Sequence, residues 1–88
     1  MDVDDLFDEM YGGAISTTDL GLAAALITTK CKLEKISRDK KGRASFIFSD
    51  DDDVQGNWDE YFEGRLQVDA RTYFDNIKAL KGRIYAGK

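Results

Sequence analysis

The period of the hydrophobic pattern changes twice along this chain, so helices and strands must share one small fold. Leu20, Ala23, Ala24 and Ile27 recur at i, i+3, i+4 and i+7, while Ala44, Phe46 and Phe48 alternate at period two. The helical period then returns, first with Val54, Trp58, Tyr61 and Phe62 and then with Tyr73, Ile77, Leu80 and Ile84. With 88 residues the chain has room for one domain, and a domain of this size buries only about 60% of the surface its unfolded form exposes. The patterned residues must therefore meet in a single interior, and the fold class is α+β.

Local signals place the boundaries. Thr17, Thr18 and Asp19 are good N-cap residues, which predicts a helix from about Thr18 to Thr29. Cys31 to Ser37 and Arg43 to Ser49 read as two strands, joined through Gly42 as an antiparallel hairpin. Leu33 and Ile36 differ in parity, so the first of these strands needs a bulge or ends early. Acids at Asp50 to Asp53 suit the start of a helix running to about Glu63, with Gly64 as its stop. Arg65 to Val68 is expected to be extended and Asp69 to cap the last helix. The predicted order is helix, two-stranded hairpin, helix, helix (αββαα) over residues 14–88. Residues 1–13 form an acidic arm, at most a short helix, cut off by Gly12 and Gly13. A two-stranded sheet needs support from the helices or from the hairpin of a second copy, so a homodimer is one expectation.

Charge is segregated within a net charge of −4. Residues 1–10 carry −5, residues 30–43 carry +5, residues 44–64 carry −7 and residues 65–88 carry +4. Such blocks can pair with one another or present opposite faces to partners. No run approaches the roughly 18 apolar residues of a membrane span, and the first ten residues are acidic where a signal peptide is basic. One cysteine, Cys31, leaves no intrachain disulfide, and the expected compartment is the cytoplasm.

Chemistry is not what the side chains suggest. The chain has no histidine, the commonest general acid or base near neutral pH, and Cys31 reads as a small hydrophobe at a helix-to-strand junction. The Asp50 to Asp53 run fails as a calcium loop. Counting from Asp51, Asp53 and Gly56 fall at the third and sixth positions, but Phe62 occupies the twelfth, where a bidentate glutamate is needed. We expect no enzyme activity, no metal and no cofactor.

Binding is the remaining class, and two readings stay open. In the first, a protein partner docks on the acids Asp50, Asp51, Asp52 and Asp53, or on Leu6, Phe7 and Met10 of the arm in helix-in-groove fashion. In the second, nucleic acid lies along the basic hairpin residues Lys32, Lys35, Arg38, Lys40, Lys41 and Arg43, with help from Arg71, Lys78, Lys81 and Arg83 if the last helix lies alongside. The stretch Lys41-Gly42-Arg43-Ala44-Ser45-Phe46-Ile47-Phe48 echoes an RNA-recognition strand, but Arg43 and Ser45 stand where its early aromatics belong. Trp58, Tyr61, Phe62, Tyr73 and Phe74 are expected in the core and between helices, and any exposed member would mark an interface.

Several of these residues also follow one another as in a known family. Thr18-Asp19 opening a helix with Ala23-Ala24, the Phe46-Ile47-Phe48 strand, Trp58 and Tyr61 with Gly64, Val68-Asp69-Ala70, Tyr73-Phe74 and the closing Lys81 to Tyr85 make the chain, from about Ser16 to Tyr85, resemble small phage and bacterial proteins grouped as a domain of unknown function. The resemblance implies a phage or prophage-type origin and a compact αββαα domain. It brings no activity with it, and Met1 to Tyr11 lies outside it.

Overall fold

The computed structural model describes residues 13–86. Its elements run β1 (Ala14–Thr17), α1 (Leu20–Thr28), β2 (Leu33–Arg38), β3 (Ala44–Ser49), α2 (Asp52–Phe62) and α3 (Ala70–Ala86). The α+β class and the three helices agree with the sequence, but the sheet has three strands instead of two. Ala14 to Thr17, for which the sequence pattern predicts no strand, pairs antiparallel with β3, so that the strand order is β1-β3-β2. The Phe-rich strand is thereby paired on both sides, which meets the support a two-stranded ribbon would otherwise lack. The irregularity expected near Leu33 is present as a register shift between Leu33 and Lys35. The arm, with Leu6, Phe7 and Met10, lies outside the described residues.

Side chains and left-handed residues set the helix ends. Asp19, not Thr17 or Thr18, caps α1, accepting the Leu22 N–H at 3.1 Å. Asp51 caps α2 through the Val54 N–H at 2.9 Å, and Asp69 takes the Thr72 N–H at 2.9 Å at the start of α3. Gly64, at φ 75°, ends α2: the Arg65 N–H reaches the Glu60 carbonyl and the Gly64 N–H that of Tyr61. The same motif ends α1 with a lysine in the glycine position. Lys30 sits at φ 76°, with Cys31 N–H on the Leu26 carbonyl and Lys30 N–H on that of Ile27. A side chain there costs roughly 1–2 kcal/mol, whereas glycine adds about 0.5–1 kcal/mol of unfolded-chain entropy to be lost on folding. Lys30→Gly should therefore stabilise the domain by about 0.5–1 kcal/mol in a urea titration.

The core lies around α1, in which Leu22, Ala23, Ala24, Ala25 and Leu26 are all essentially inaccessible. A helix apolar on every side must be enclosed on every side. Phe46 and Phe48 of β3 cover it from the sheet, Val54 from α2 and Leu80 from α3. The three consecutive alanines keep α1 slim enough to fit among these larger side chains. Ile15, Leu33, Ile36, Trp58, Tyr61, Tyr73, Ile77 and Ile84 close the margin. Polar contacts fix α3 across α1: the Tyr73 hydroxyl donates to the Gly21 carbonyl at 3.2 Å, and the Asn76 amide donates to Thr28 Oγ1 at 2.9 Å. Of the described residues, no helix is long and apolar enough to cross a membrane.

Candidate functional site

The four-aspartate run serves the start of α2. Asp51 is the cap, Asp52 and Asp53 occupy the first turn, where negative charge complements the helix dipole, and Asp50 accepts from the Gln55 side chain. Among the described residues no group of three or more metal-ligating side chains converges. An open cleft of about 510 Å³ separates this helix start from the end of α1, lined in part by Lys30, Lys32, Asp51 and Asp53. Cys31 is half-buried in its wall, with the Asn57 amide 3.6 Å and the Thr29 hydroxyl 3.7 Å from its sulfur. A smaller apolar cleft of about 220 Å³ opens beside Tyr61, Leu66, Val68 and Tyr73. Desolvation pushes the Tyr61 hydroxyl above its usual pKa, with Asp19 and Tyr73 adding to the effect, so it stays a neutral phenol.

The basic hairpin divides into three places. Lys32 sits in the Asp51 cleft, before β2 begins. Lys35 pairs with Ile47 and so faces the side of the sheet away from Phe46 and Phe48. Arg38, Lys40, Lys41 and Arg43 gather at the loop end. There Asp39 organises the turn: its Oδ1 accepts the N–H groups of Lys41 and Arg43, each at 2.9 Å, and its Oδ2 pairs with the Arg43 guanidinium at 3.2 Å. Gly42 supplies the positive φ the turn requires, at 83°.

Arg38 joins this loop to the far end of the chain. It pairs with Ala44, on the helix-facing side of the sheet. From there its guanidinium donates to the Gly42 carbonyl at 2.9 Å and to the Ile84 carbonyl in the last turn of α3. Through this contact the hairpin loop, with Lys40, Lys41 and Arg43, is tied to the last turns of α3, where Lys81 and Arg83 project from opposite sides of the helix. All five of these side chains are exposed. The ion pairs among the described residues are Arg43–Asp39, Arg65–Glu63 and Arg71–Asp75, so Lys40, Lys41, Lys81 and Arg83 have no acidic partner within that set.

Two aromatics depart from expectation. Trp58, Tyr61 and Tyr73 pack on the core, but Phe62 is 61% and Phe74 57% exposed. Each directly follows a core-facing tyrosine and is rotated by about 100° from it around the helix. Phe62 leans on Tyr61 edge-on, with centroids 5.3 Å apart, and Phe74 carries the Lys78 ammonium 5.5 Å from its ring centroid.

Compared with known families, residues 13–86 match the model of a domain of unknown function, DUF5659. The chain belongs to this family. No curated protein and no solved structure matches the DUF5659 chain significantly.

The titration of two turn-forming acids gives a solution test of this geometry. The Arg43 backbone N–H, followed by the Arg43 side chain and the Lys41 N–H, holds the Asp39 carboxyl below its ordinary range, partly opposed by desolvation. The Thr72 hydroxyl and N–H do the same for Asp69. A depressed folded-state pKa stabilises the fold above the unfolded value of about 3.9 and loses that contribution as pH falls through the folded value. The urea midpoint should therefore drop between about pH 5 and pH 2, and the Asp39→Asn, Asp69→Asn double variant should show a shallower drop.

Proposed function

We propose that this DUF5659 domain is a non-enzymatic binding module and that its partner is nucleic acid, held at the cationic end formed by the hairpin loop and the last turn of α3. The Arg38 bridge to the Ile84 carbonyl supports the reading, because it ties the basic hairpin loop to the end of α3, two segments remote in sequence. A chain with a net charge of −4 has no general affinity for polyanions, so a local concentration of Lys40, Lys41, Lys81 and Arg83, which have no acidic partner among the described residues, would create a field that the average charge hides. Asp19, Asp39, Asp51 and Asp69 are occupied in caps and turns, and Asp75 pairs with Arg71.

The test is a fluorescence anisotropy titration with a labelled oligonucleotide at low and at moderate salt. With about four phosphates engaged, a fourfold rise in salt should weaken binding on the order of 100-fold. Absence of binding at low salt, or binding indifferent to salt, would overturn the proposal.

A protein partner is the second reading, favoured by Phe62. An aromatic ring 61% exposed, beside Trp58 and one turn from the exposed Asp59, has the composition of an interface anchor. A domain that ignores oligonucleotides at low salt, yet loses a purified protein partner on Phe62→Ala, would establish this reading in place of the first.

A further inference from the structure

We infer that the outward face of α3 is a stacking platform for single-stranded nucleic acid, continuous with the cationic end; the inference rests on the nucleic-acid reading and names its substrate class. Phe74, Lys78, Lys81 and Tyr85 follow at i, i+4, i+7 and i+11, so they share one stripe about 16 Å long. All four are exposed, Phe74 at 57% and Tyr85 at 64%. The stripe lies to one side of the Tyr73, Ile77, Leu80 and Ile84 face that packs on α1, and it takes no part in the core. Arg71 extends it one turn towards the helix start, held against Asp75 at 3.5 Å.

The composition of the stripe selects the ligand. A helix face that only kept the domain in solution would carry charges, and one that only met an apolar partner would lack the lysines. An exposed ring followed by two ammonium groups matches a strand in which flat bases alternate with phosphates. The Lys78 ammonium lies 5.5 Å from the Phe74 centroid, so a base on that ring would have a cation within reach of its phosphate. In a duplex the base faces are occupied by their neighbours, and a helix side exposing rings gains nothing from them. Unpaired bases offer those faces. The stripe also reaches Lys81, one turn before the Ile84 carbonyl that Arg38 holds, so a strand leaving the hairpin loop can continue along α3.

The experiment compares labelled single-stranded DNA, single-stranded RNA and duplex DNA of one sequence against the wild-type domain, Phe74→Ala and Phe74→Tyr. Wild type should prefer either single strand to the duplex by at least about tenfold, and the DNA and RNA arms identify which single strand is the better ligand. Phe74→Ala should weaken single-strand binding by roughly 5- to 150-fold, the range that follows from losing one stacked base, with the salt slope unchanged. Phe74→Tyr should retain affinity, and equal thermal midpoints will separate this effect from unfolding. Equal affinity for duplex and single strands, with Phe74→Ala inert, overturns the platform while leaving the cationic end in place. No binding of any oligonucleotide by wild type at low salt overturns the platform and the proposed function together.

Discussion

Phe48→Ala is expected to cost about 3–5 kcal/mol of unfolding free energy, the usual toll of removing a buried phenylalanine. Phe48 is wholly inaccessible and sits in the central strand, paired across from Ile15 of β1 and Leu33 of β2. It shares its cluster with Ala23 and Ala24, whose side chains cannot extend to refill the space, so the loss should fall towards the upper end. A domain of this length holds roughly 4–13 kcal/mol in total, and the substitution therefore removes a large part of it. Urea unfolding followed through the fluorescence of Trp58 will measure the change, with the denaturant slope preserved if the transition stays two-state. Phe48→Leu keeps most of the volume and should lose well under half as much. A loss below about 1 kcal/mol for the alanine variant would mean that the sheet and α1 do not share the core described above.

The same strand explains what could be read in advance and what could not. The alternation Ala44, Phe46, Phe48 needs no partner to be visible, and the stripes on α1, α2 and α3 are likewise local patterns. Gly64 and Asp69 were legible because a stop and a cap are each written in one residue. β1 was not, because Ala14 to Thr17 has a single large apolar side chain, and the threonines after it look like the approach to a helix. Its identity as a strand comes from pairing with residues more than 25 positions away. At the site, the basic ribbon counted along the sequence as one unit is split by the pleat, which turns Lys35 to the opposite face from Arg38. The bridge that reunites the positive segments runs from Arg38 to a backbone carbonyl 46 residues on, and a carbonyl has no sequence signature. Phe62 falls at i+8 of the Val54, Trp58 and Tyr61 pattern and Phe74 is apolar, which points both inward in the sequence. The angular step from Tyr61 and from Tyr73 was the available signal that they point elsewhere.

Leu80→Ala should cost about 2–5 kcal/mol and should act first on α3. Leu80 is the one fully buried side chain of that 17-residue helix, at 2% exposure, with Tyr73, Ile77 and Ile84 partly buried on either side of it. A helix of this length is marginal in water when undocked, so α3 depends on this stripe and on the Tyr73 and Asn76 hydrogen bonds to α1. Removing the central anchor lowers the free energy of local opening before it lowers that of global unfolding. Hydrogen exchange should therefore accelerate across Ala70–Ala86 more than across Ala44–Ser49, which remains paired on both sides. Opening α3 also separates Lys81 and Arg83 from the hairpin loop. If the cationic end binds as one surface, Leu80→Ala must weaken oligonucleotide binding at temperatures where the sheet is still folded, although Leu80 itself is buried and uncharged. Uniform acceleration of exchange throughout the domain, with affinity unchanged, would show that α3 is not the independently yielding element that the packing implies.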